Sequence, residues 1–119
     1  SWSGDYRFAK DGNDALNECI ATFSEDFWRV IKKGTFYVEF SGDNPQIRVT
    51  DGWWSTTWTG NDIFLGDPRI TENEKTGNHV IEISLAGDPL VDVLDSQHFL
   101  LTGAGYTPLK IYCYEIPAN

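Results

Sequence analysis

The residues best suited to chemistry lie in one segment of the chain, from Asp51 to Thr59. Its sequence, Asp-Gly-Trp-Trp-Ser-Thr-Thr-Trp-Thr, places three tryptophans among small hydroxyl side chains. Alternate side chains of a β-strand share a face, so we expect Trp54 and Trp58 on one face and Trp53 on the other. Serine and threonine between indoles are typical of a half-exposed strand. The pattern predicts that Trp54 and Trp58 are accessible to solvent, with Trp53 beside or beneath them.

An accessible row of indoles is suited to binding sugars. The axial C–H faces of a β-linked glucan are apolar, and its hydroxyl groups point sideways. An aromatic ring can cover the apolar face while polar side chains bind the rim, and a rigid ring loses little conformational entropy on binding. The competing interpretation is that indoles fill the core. For at least one of Trp53 and Trp54, a core position fits the sequence as well as an exposed one, because neighbours on a strand face opposite ways. For Trp2 and Trp28 we expect core or helix-packing positions.

The candidate carbohydrate-binding residues combine aromatic rings with hydrogen-bonding side chains elsewhere in the chain. Amide, guanidinium and phenol groups can bond sugar hydroxyls. The predicted set is Trp53, Trp54, Trp58, Gln46, Arg48, Gln97 and Tyr106. No catalytic residue and no metal ligand is assigned.

Short segments with period-two alternation surround these residues and are separated by turn residues. The alternation is clearest in Thr35–Phe40, Gln46–Thr50 and His79–Leu85. Four further strands are predicted at Trp2–Ala9, Leu16–Thr22, His98–Thr102 and Leu109–Ile116, with a turn at 103–105. Many short strands with turns between them predict an all-β fold, an antiparallel and jelly-roll-like β-sandwich. We expect its first and last strands to be adjacent.

Two short helices are predicted to interrupt the strands. Ser24 can cap a helix that runs to about Lys33, with Gly34 ending it in the left-handed conformation. Asp88 can cap a second helix that has Pro89 at its first position. Neither helix is long enough to connect parallel strands repeatedly, so an α/β fold is not expected.

Length and charge restrict the possible partners. The chain has 119 residues, which suits one domain, and a net charge of -9. Negative charge repels nucleic acid and anionic membranes, whereas a neutral polysaccharide is indifferent to it. No apolar run is long enough to cross a membrane. We therefore expect no nucleic-acid or membrane partner. We also expect a monomer.

The cysteines and the acidic turns leave two questions open. Cys19 and Cys113 lie near opposite ends of the chain, and either a disulfide between them or two buried thiols fits the sequence. The turns Asp11–Asp14 and Asn61-Asp62 offer oxygen ligands for calcium, but their spacing matches no complete calcium loop. No cofactor is expected, and the alternative that the acidic turns leave open is a structural calcium ion.

Two other function classes compete with sugar binding. A glycosidase would need two carboxyl groups about 5 to 9.5 Å apart, one with a raised pKa, and Asp51 and Asp62 are the best-placed acidic residues. His79 and His98 lie inside strand patterns and are better explained as packed or surface residues. A protein-binding β-sandwich is the third class, because exposed tryptophan and tyrosine also form interface hot spots.

The sequence resembles a known family of binding modules. The step Asp51-Gly52-Trp53-Trp54 follows a strand, which itself follows a short helix ending in Lys32-Lys33-Gly34. Later, Asp95-Ser96-Gln97 follows a second short helix and precedes Phe99–Gly103 and a final strand. This layout, over most of the chain, resembles the β-sandwich carbohydrate-binding modules of rumen bacterial cellulases and β-glucanases, of families sixty-five and seventy-nine.

The resemblance implies a function and an attachment. It implies a non-catalytic module that binds β-1,4-glucan, mixed-linkage glucan and xyloglucan. The module would be excised from a larger, secreted, cellulosome-type enzyme whose catalytic domain it targets to the polysaccharide. It assigns binding to the adjacent pair Trp53 and Trp54, which can both be exposed only if Gly52 lets the backbone bend.

Overall fold

The computed structural model describes residues 6–8, 26–52, 55–94 and 99–118. These residues form strands β1 (Tyr6–Phe8), β2 (Thr35–Ser41), β3 (Gln46–Asp51), β4 (Ile63–Phe64), β5 (Ile70–Glu72), β6 (His79–Ser84), β7 (Phe99–Ala104) and β8 (Thr107–Tyr112). Two short helices accompany them, α1 (Phe27–Lys33) and α2 (Leu90–Val93). Within these ranges, no helix has the length and apolar character needed to span a membrane.

The strands form two four-stranded sheets. The first sheet has the order β1-β7-β3-β4 and the second has the order β5-β6-β2-β8. Every neighbouring pair in both sheets is antiparallel. The prediction of an all-β antiparallel sandwich with two short helices is therefore confirmed.

The predicted adjacency of the first and last strands is wrong for the described chain. β1 pairs with β7 in the first sheet, whereas β8 pairs with β2 in the second. Alternation within a strand identifies its buried face but not its partner, because pairing depends on contacts between distant residues. The predicted strand Leu16–Thr22 lies outside the described residues.

The core lies between the sheets and is built by the alternation seen in the sequence. Phe36, Val38 and Phe40 are fully buried on one face of β2, and Ile47 and Val49 are buried on one face of β3. Across the interface, the rings of Phe36 and Phe99 meet edge to face, with centroids 5.6 Å apart. Such aromatic pairs add about 0.5–1.5 kcal/mol beyond the burial of their area.

The helices begin and end partly as expected. Asp88 Oδ1 accepts a hydrogen bond from the backbone N–H of Leu90 at 3.0 Å, as a cap would. α2 itself begins at Leu90, so the cap position falls on Pro89, one residue later than predicted. Gly34 has φ -108° and ψ -165°, so the predicted left-handed ending of α1 is wrong. The physical reason is that β2 starts at the next residue and the backbone must already be extended. Trp28 packs against the core, as predicted; Ser24 and Trp2 lie outside the described residues.

Candidate functional site

The described residues after β3 form a loop rather than the predicted strand. Thr57 makes a single isolated bridge to Thr50, and the backbone N–H of Trp58 donates to Val49 O at 2.9 Å. No regular strand covers 55–59. Trp53 and Trp54 lie outside the described residues, so their role in sugar binding stays a prediction.

The carboxylate of Asp51 causes this departure from a strand. Its Oδ1 accepts hydrogen bonds from the backbone N–H groups of Ser55 at 2.8 Å and Thr56 at 3.0 Å, and its Oδ2 accepts one from Ser55 Oγ at 2.7 Å. Asp51 is buried. These three hydrogen bonds, donated by residues four and five positions later in the chain, turn the backbone toward β3. Asp side chains commonly bond nearby backbone groups in this way and so compete with regular secondary structure.

Trp58 is buried, with 7% of its surface exposed, and belongs to the core cluster. The guanidinium of Arg69 lies 4.9 Å from its ring centroid, and Asp67 and the carbonyl of Gly60 hold that guanidinium in place. The prediction that Trp58 is accessible is therefore wrong. In this loop, the hydroxyl side chains of Ser55, Thr57 and Thr59 are exposed and the indole points inward.

Gln46 and Arg48 come together on β3, but they bind Asp62. Arg48 forms a two-point pair with Asp62, Nε to Oδ1 at 2.7 Å and Nη2 to Oδ2 at 2.9 Å. Gln46 Nε2 donates to the same Oδ2 at 2.9 Å. The hydrogen bond from Arg48 lowers the pKa of Asp62, which is opposite to what a general acid requires. The neighbouring Asn61 side chain bonds both the N–H and the carbonyl of Val49.

The last two predicted site residues have different outcomes. Tyr106 is buried, its hydroxyl donates to Thr102 O at 2.7 Å, and its ring meets Phe40 edge to face. This burial contradicts its assignment as a surface contact, because the phenol is already used inside the fold. Gln97 lies outside the described residues.

Three tyrosines that the sequence reasoning missed form an aromatic surface, the tyrosine face, on the solvent side of the second sheet. Tyr37 and Tyr112 are paired across β2 and β8, and their rings stack with centroids 5.5 Å apart and an interplanar angle of 20°. The Tyr114 ring stands edge-on against both, at 4.9 Å from Tyr37 and 5.5 Å from Tyr112. Tyr114 is 78% exposed.

Two open grooves flank the tyrosine face. The first groove has a volume of about 440 Å³, and Tyr37, Glu82 and Tyr114 lie along it. The second groove has a volume of about 460 Å³, and Tyr112, Val80 and Tyr114 lie along it. Tyr114 therefore borders both grooves, whereas the other two tyrosines border one each.

The hydroxyls of Tyr37 and Tyr112 are influenced by their neighbours. Tyr37 Oη donates to Glu82 Oε1 at 3.3 Å, and burial together with this carboxylate raises the pKa of Tyr37. Burial and the neighbouring Tyr114 also raise the pKa of Tyr112. The Lys110 ammonium lies 5.2 Å from the Tyr112 ring centroid. The surface thus presents the exposed ring of Tyr114, the half-buried rings of Tyr37 and Tyr112, their phenol hydroxyls and a few charged side chains.

A sequence signal existed for one of these tyrosines. Tyr37 alternates with the buried Phe36 and Val38, which places it on the outer face of β2. Nothing local to Tyr112 or Tyr114 indicates that β8 pairs with β2 beside Tyr37, because this pairing joins distant parts of the chain. The cluster is a product of sheet topology.

The other residues considered for chemistry do not assemble into a reactive centre in the described ranges. No group of three or more His, Cys, Asp or Glu side chains there could hold a metal ion. His79 Nδ1 lies 3.7 Å from Glu72 Oε1 at the edge of the second sheet. Cys113 is a free cysteine, and partial burial raises the pKa of its thiol. Cys19, His98 and the turn Asp11–Asp14 lie outside the described residues.

Comparisons with known proteins provide no relative for this chain. It matches no protein-family model, no curated protein and no solved structure. Function is therefore inferred from the chemistry of the molecule's own surfaces.

Proposed function

We propose that this chain is a non-catalytic module that binds neutral plant cell-wall β-glucans. The ligand class is β-1,4-glucan or mixed-linkage glucan, with xyloglucan as a further candidate. In a larger secreted enzyme, such binding would hold an attached glycoside hydrolase on its substrate. The observation that carries the proposal is the tyrosine face, a partly exposed aromatic cluster on a sheet surface between two open grooves.

The tyrosine face suits sugar rings for two reasons. The exposed ring of Tyr114 can cover the apolar C–H face of a pyranose ring, and the phenols and the adjacent Glu82 and Lys110 can bond hydroxyl groups. Tyr37 and Tyr112 are also fixed by strand pairing and by mutual ring contacts. A site held on rigid strands loses little entropy on binding.

The roles of the acidic residues support a binding function over catalysis. Asp51 uses both of its carboxylate oxygens to shape the loop after β3. Asp62 is held by Arg48 and Gln46, with a lowered pKa. These were the best-placed candidates for a glycosidase pair, and both have structural hydrogen bonds that account for them.

A protein partner is the second candidate function, because tyrosines are also enriched at interface hot spots. Gel electrophoresis with soluble glucans polymerised into the matrix separates the two candidates. Retarded migration in glucan-containing gels supports the proposal. Unchanged migration with mixed-linkage glucan, xyloglucan, mannan and soluble cellulose derivatives contradicts it.

Calorimetry on alanine variants then locates the site. We compare Tyr114→Ala with the double variant Trp53→Ala/Trp54→Ala, and use Phe64→Ala as the matched control. Phe64 is also an exposed aromatic, 52% accessible, but lies on β4 in the other sheet. Losing one stacked ring should cost about 1–3 kcal/mol, or about tenfold to a hundredfold in Kd. If neither test variant weakens binding while both stay folded, aromatic stacking at these positions is wrong.

A further inference from the structure

We propose that the two grooves beside Tyr114 form one continuous path for a single, linear, uncharged polysaccharide chain. The ligand then contacts Tyr37 in the first groove and Tyr112 in the second, with Tyr114 between them. This inference rests on the proposed function and adds to it an increase of affinity with ligand length and a selection by charge.

The strand geometry makes the grooves consecutive. Glu82 borders the first groove and Val80 borders the second. Both residues belong to β6 and are two positions apart, so they lie on the same side of the strand about 6.8 Å from each other. The register of β6 with β2 places them beside Tyr37 and Glu39. The two grooves are therefore adjacent, offset along β6 at Glu82 and Val80 and across the sheet at Tyr37 and Tyr112, which are directly paired.

Tyr114 divides this path without closing it. Its ring touches Tyr37 and Tyr112 edge-on and remains largely exposed. Each groove alone has a volume within the range of about 300–1,000 Å³ typical of small-molecule sites. A short oligosaccharide can occupy one groove, whereas a longer chain can occupy both and pass Tyr114.

The charges along the path favour an uncharged chain. Two glutamates and one lysine border the first groove, Glu82, Glu115 and Lys33. The second groove repeats this composition with Glu72, Glu74 and Lys75. A carboxylate-bearing polysaccharide would place negative charge beside an excess of glutamates in both grooves, and like charges brought together are destabilising.

A chain-length series tests the inference by calorimetry. The ligands are β-1,4-linked gluco-oligosaccharides from the disaccharide to the hexasaccharide, with polygalacturonate as the charged polymer. We expect Kd to fall by at least about tenfold from the shortest to the longest ligand, and no measurable binding of polygalacturonate. Equal affinity at every length, or binding of polygalacturonate as tight as that of glucan, would overturn the inference.

The second measurement is the affinity of variants in which one residue of a single groove is replaced by alanine. Tyr37→Ala alters the first groove, Tyr112→Ala alters the second, and Phe64→Ala serves as the control. Each tyrosine variant should weaken hexasaccharide binding at least about fivefold, whereas at most one should weaken disaccharide binding. If only one affects the hexasaccharide, the chain does not occupy both grooves. Amide chemical shifts of the unmodified protein decide the same question if a variant fails to fold, because the hexasaccharide must shift signals on both sides of Tyr114.

These outcomes separate the inference from the proposed function. If no glucan of any length binds, the proposed function itself fails. If glucans bind and only Trp53→Ala/Trp54→Ala weakens binding, the module binds sugar elsewhere and the two-groove path is wrong.

Discussion

At the level of single residues, carboxylates in this protein hold loops in place. Asp51 accepts three hydrogen bonds from the residues after β3. Asp88 accepts from Leu90 and from both the backbone N–H and the hydroxyl of Thr59. Glu39 accepts from three side chains of the loop between β5 and β6. Charge-assisted hydrogen bonds of this kind are stronger than neutral ones, so acidic residues contribute to the order of the loops.

Replacing Glu39 tests this role directly. Its carboxylate is buried and bonds Asn73, Thr76 and Asn78 at 2.9 to 3.0 Å. We expect Glu39→Gln to lower the free energy of unfolding by about 1–3 kcal/mol, because an amide cannot accept all three bonds. The control Glu82→Gln changes an exposed residue on the same face and should have little effect. Urea denaturation measures both, and equal losses would contradict the prediction.

The same residue predicts a pH dependence. The hydrogen bonds from Asn78 and Asn73 lower the pKa of Glu39 below its ordinary value. A group with a lowered folded-state pKa stabilises the protein above its unfolded-state pKa, about 4.3 for glutamate, and loses this contribution as pH falls through the folded-state value. The stability difference between the parent and Glu39→Gln should therefore be largest at neutral pH and shrink in acid. A difference that grows in acid would contradict the assignment.

Trp58 predicts a loss of stability rather than a selective loss of binding. Its indole is buried in the core cluster and contacts the Arg69 guanidinium. We expect Trp58→Ala to cost about 3–5 kcal/mol, the usual range for removing a large buried aromatic, whereas Tyr114→Ala, at an exposed site, should cost little. Thermal denaturation monitored by circular dichroism compares the two. A stable Trp58→Ala protein would show that the indole is not part of the core.

At the level of elements, a glycine fixes how β7 lies beside β3. Gly103 has φ +118° within β7 and pairs with Ile47. A Cβ at this position would overlap the carbonyl oxygen of Gln46. A turn at 103–105 was expected from the sequence, whereas Gly103 and Ala104 continue the strand. The glycine permits a close approach of two strands, which is a known use of glycine inside sheets.

Alanine substitution separates close approach from backbone strain. Gly103→Ala combines a positive φ with the overlap at Gln46, so we expect a loss of more than about 3 kcal/mol or failure to fold. Gly66→Ala is the control, since Gly66 has φ +97° but faces open space, and should cost only about 1 kcal/mol. Chemical denaturation of the two variants measures the difference. Similar losses would mean that the approach to Gln46 relaxes easily.

At the level of the whole molecule, the neutrality of the proposed ligand predicts how binding responds to salt, although the protein carries a net charge of -9. A neutral glucan has no condensed counterions to release, so its Kd should change by less than about twofold between about 50 and 500 mM sodium chloride. Calorimetry at the two salt concentrations measures this. Weakening by about tenfold or more would indicate a charged ligand and contradict the choice of a neutral polysaccharide.

The sequence by itself determined the class of fold and its best-defined strands. The alternation in Thr35–Phe40, Gln46–Thr50 and His79–Leu85 identified the strands now seen as β2, β3 and β6, because period two is a local property of an extended chain with one buried face. The hydrogen bond of Asp88 at the start of α2 was also predictable, since Asp88 and Leu90 are close in sequence.

Only the tertiary structure decided where Trp58, Tyr106 and Tyr112 lie. Trp58 is buried because the bonds of Asp51 turn the chain, and Tyr106 is buried against Phe40. Tyr112 stands beside Tyr37 because β8 pairs with β2 across 75 positions of the chain (112 − 37). The physical reason is that alternation describes each strand separately, whereas burial and clustering depend on which distant strands and loops come together.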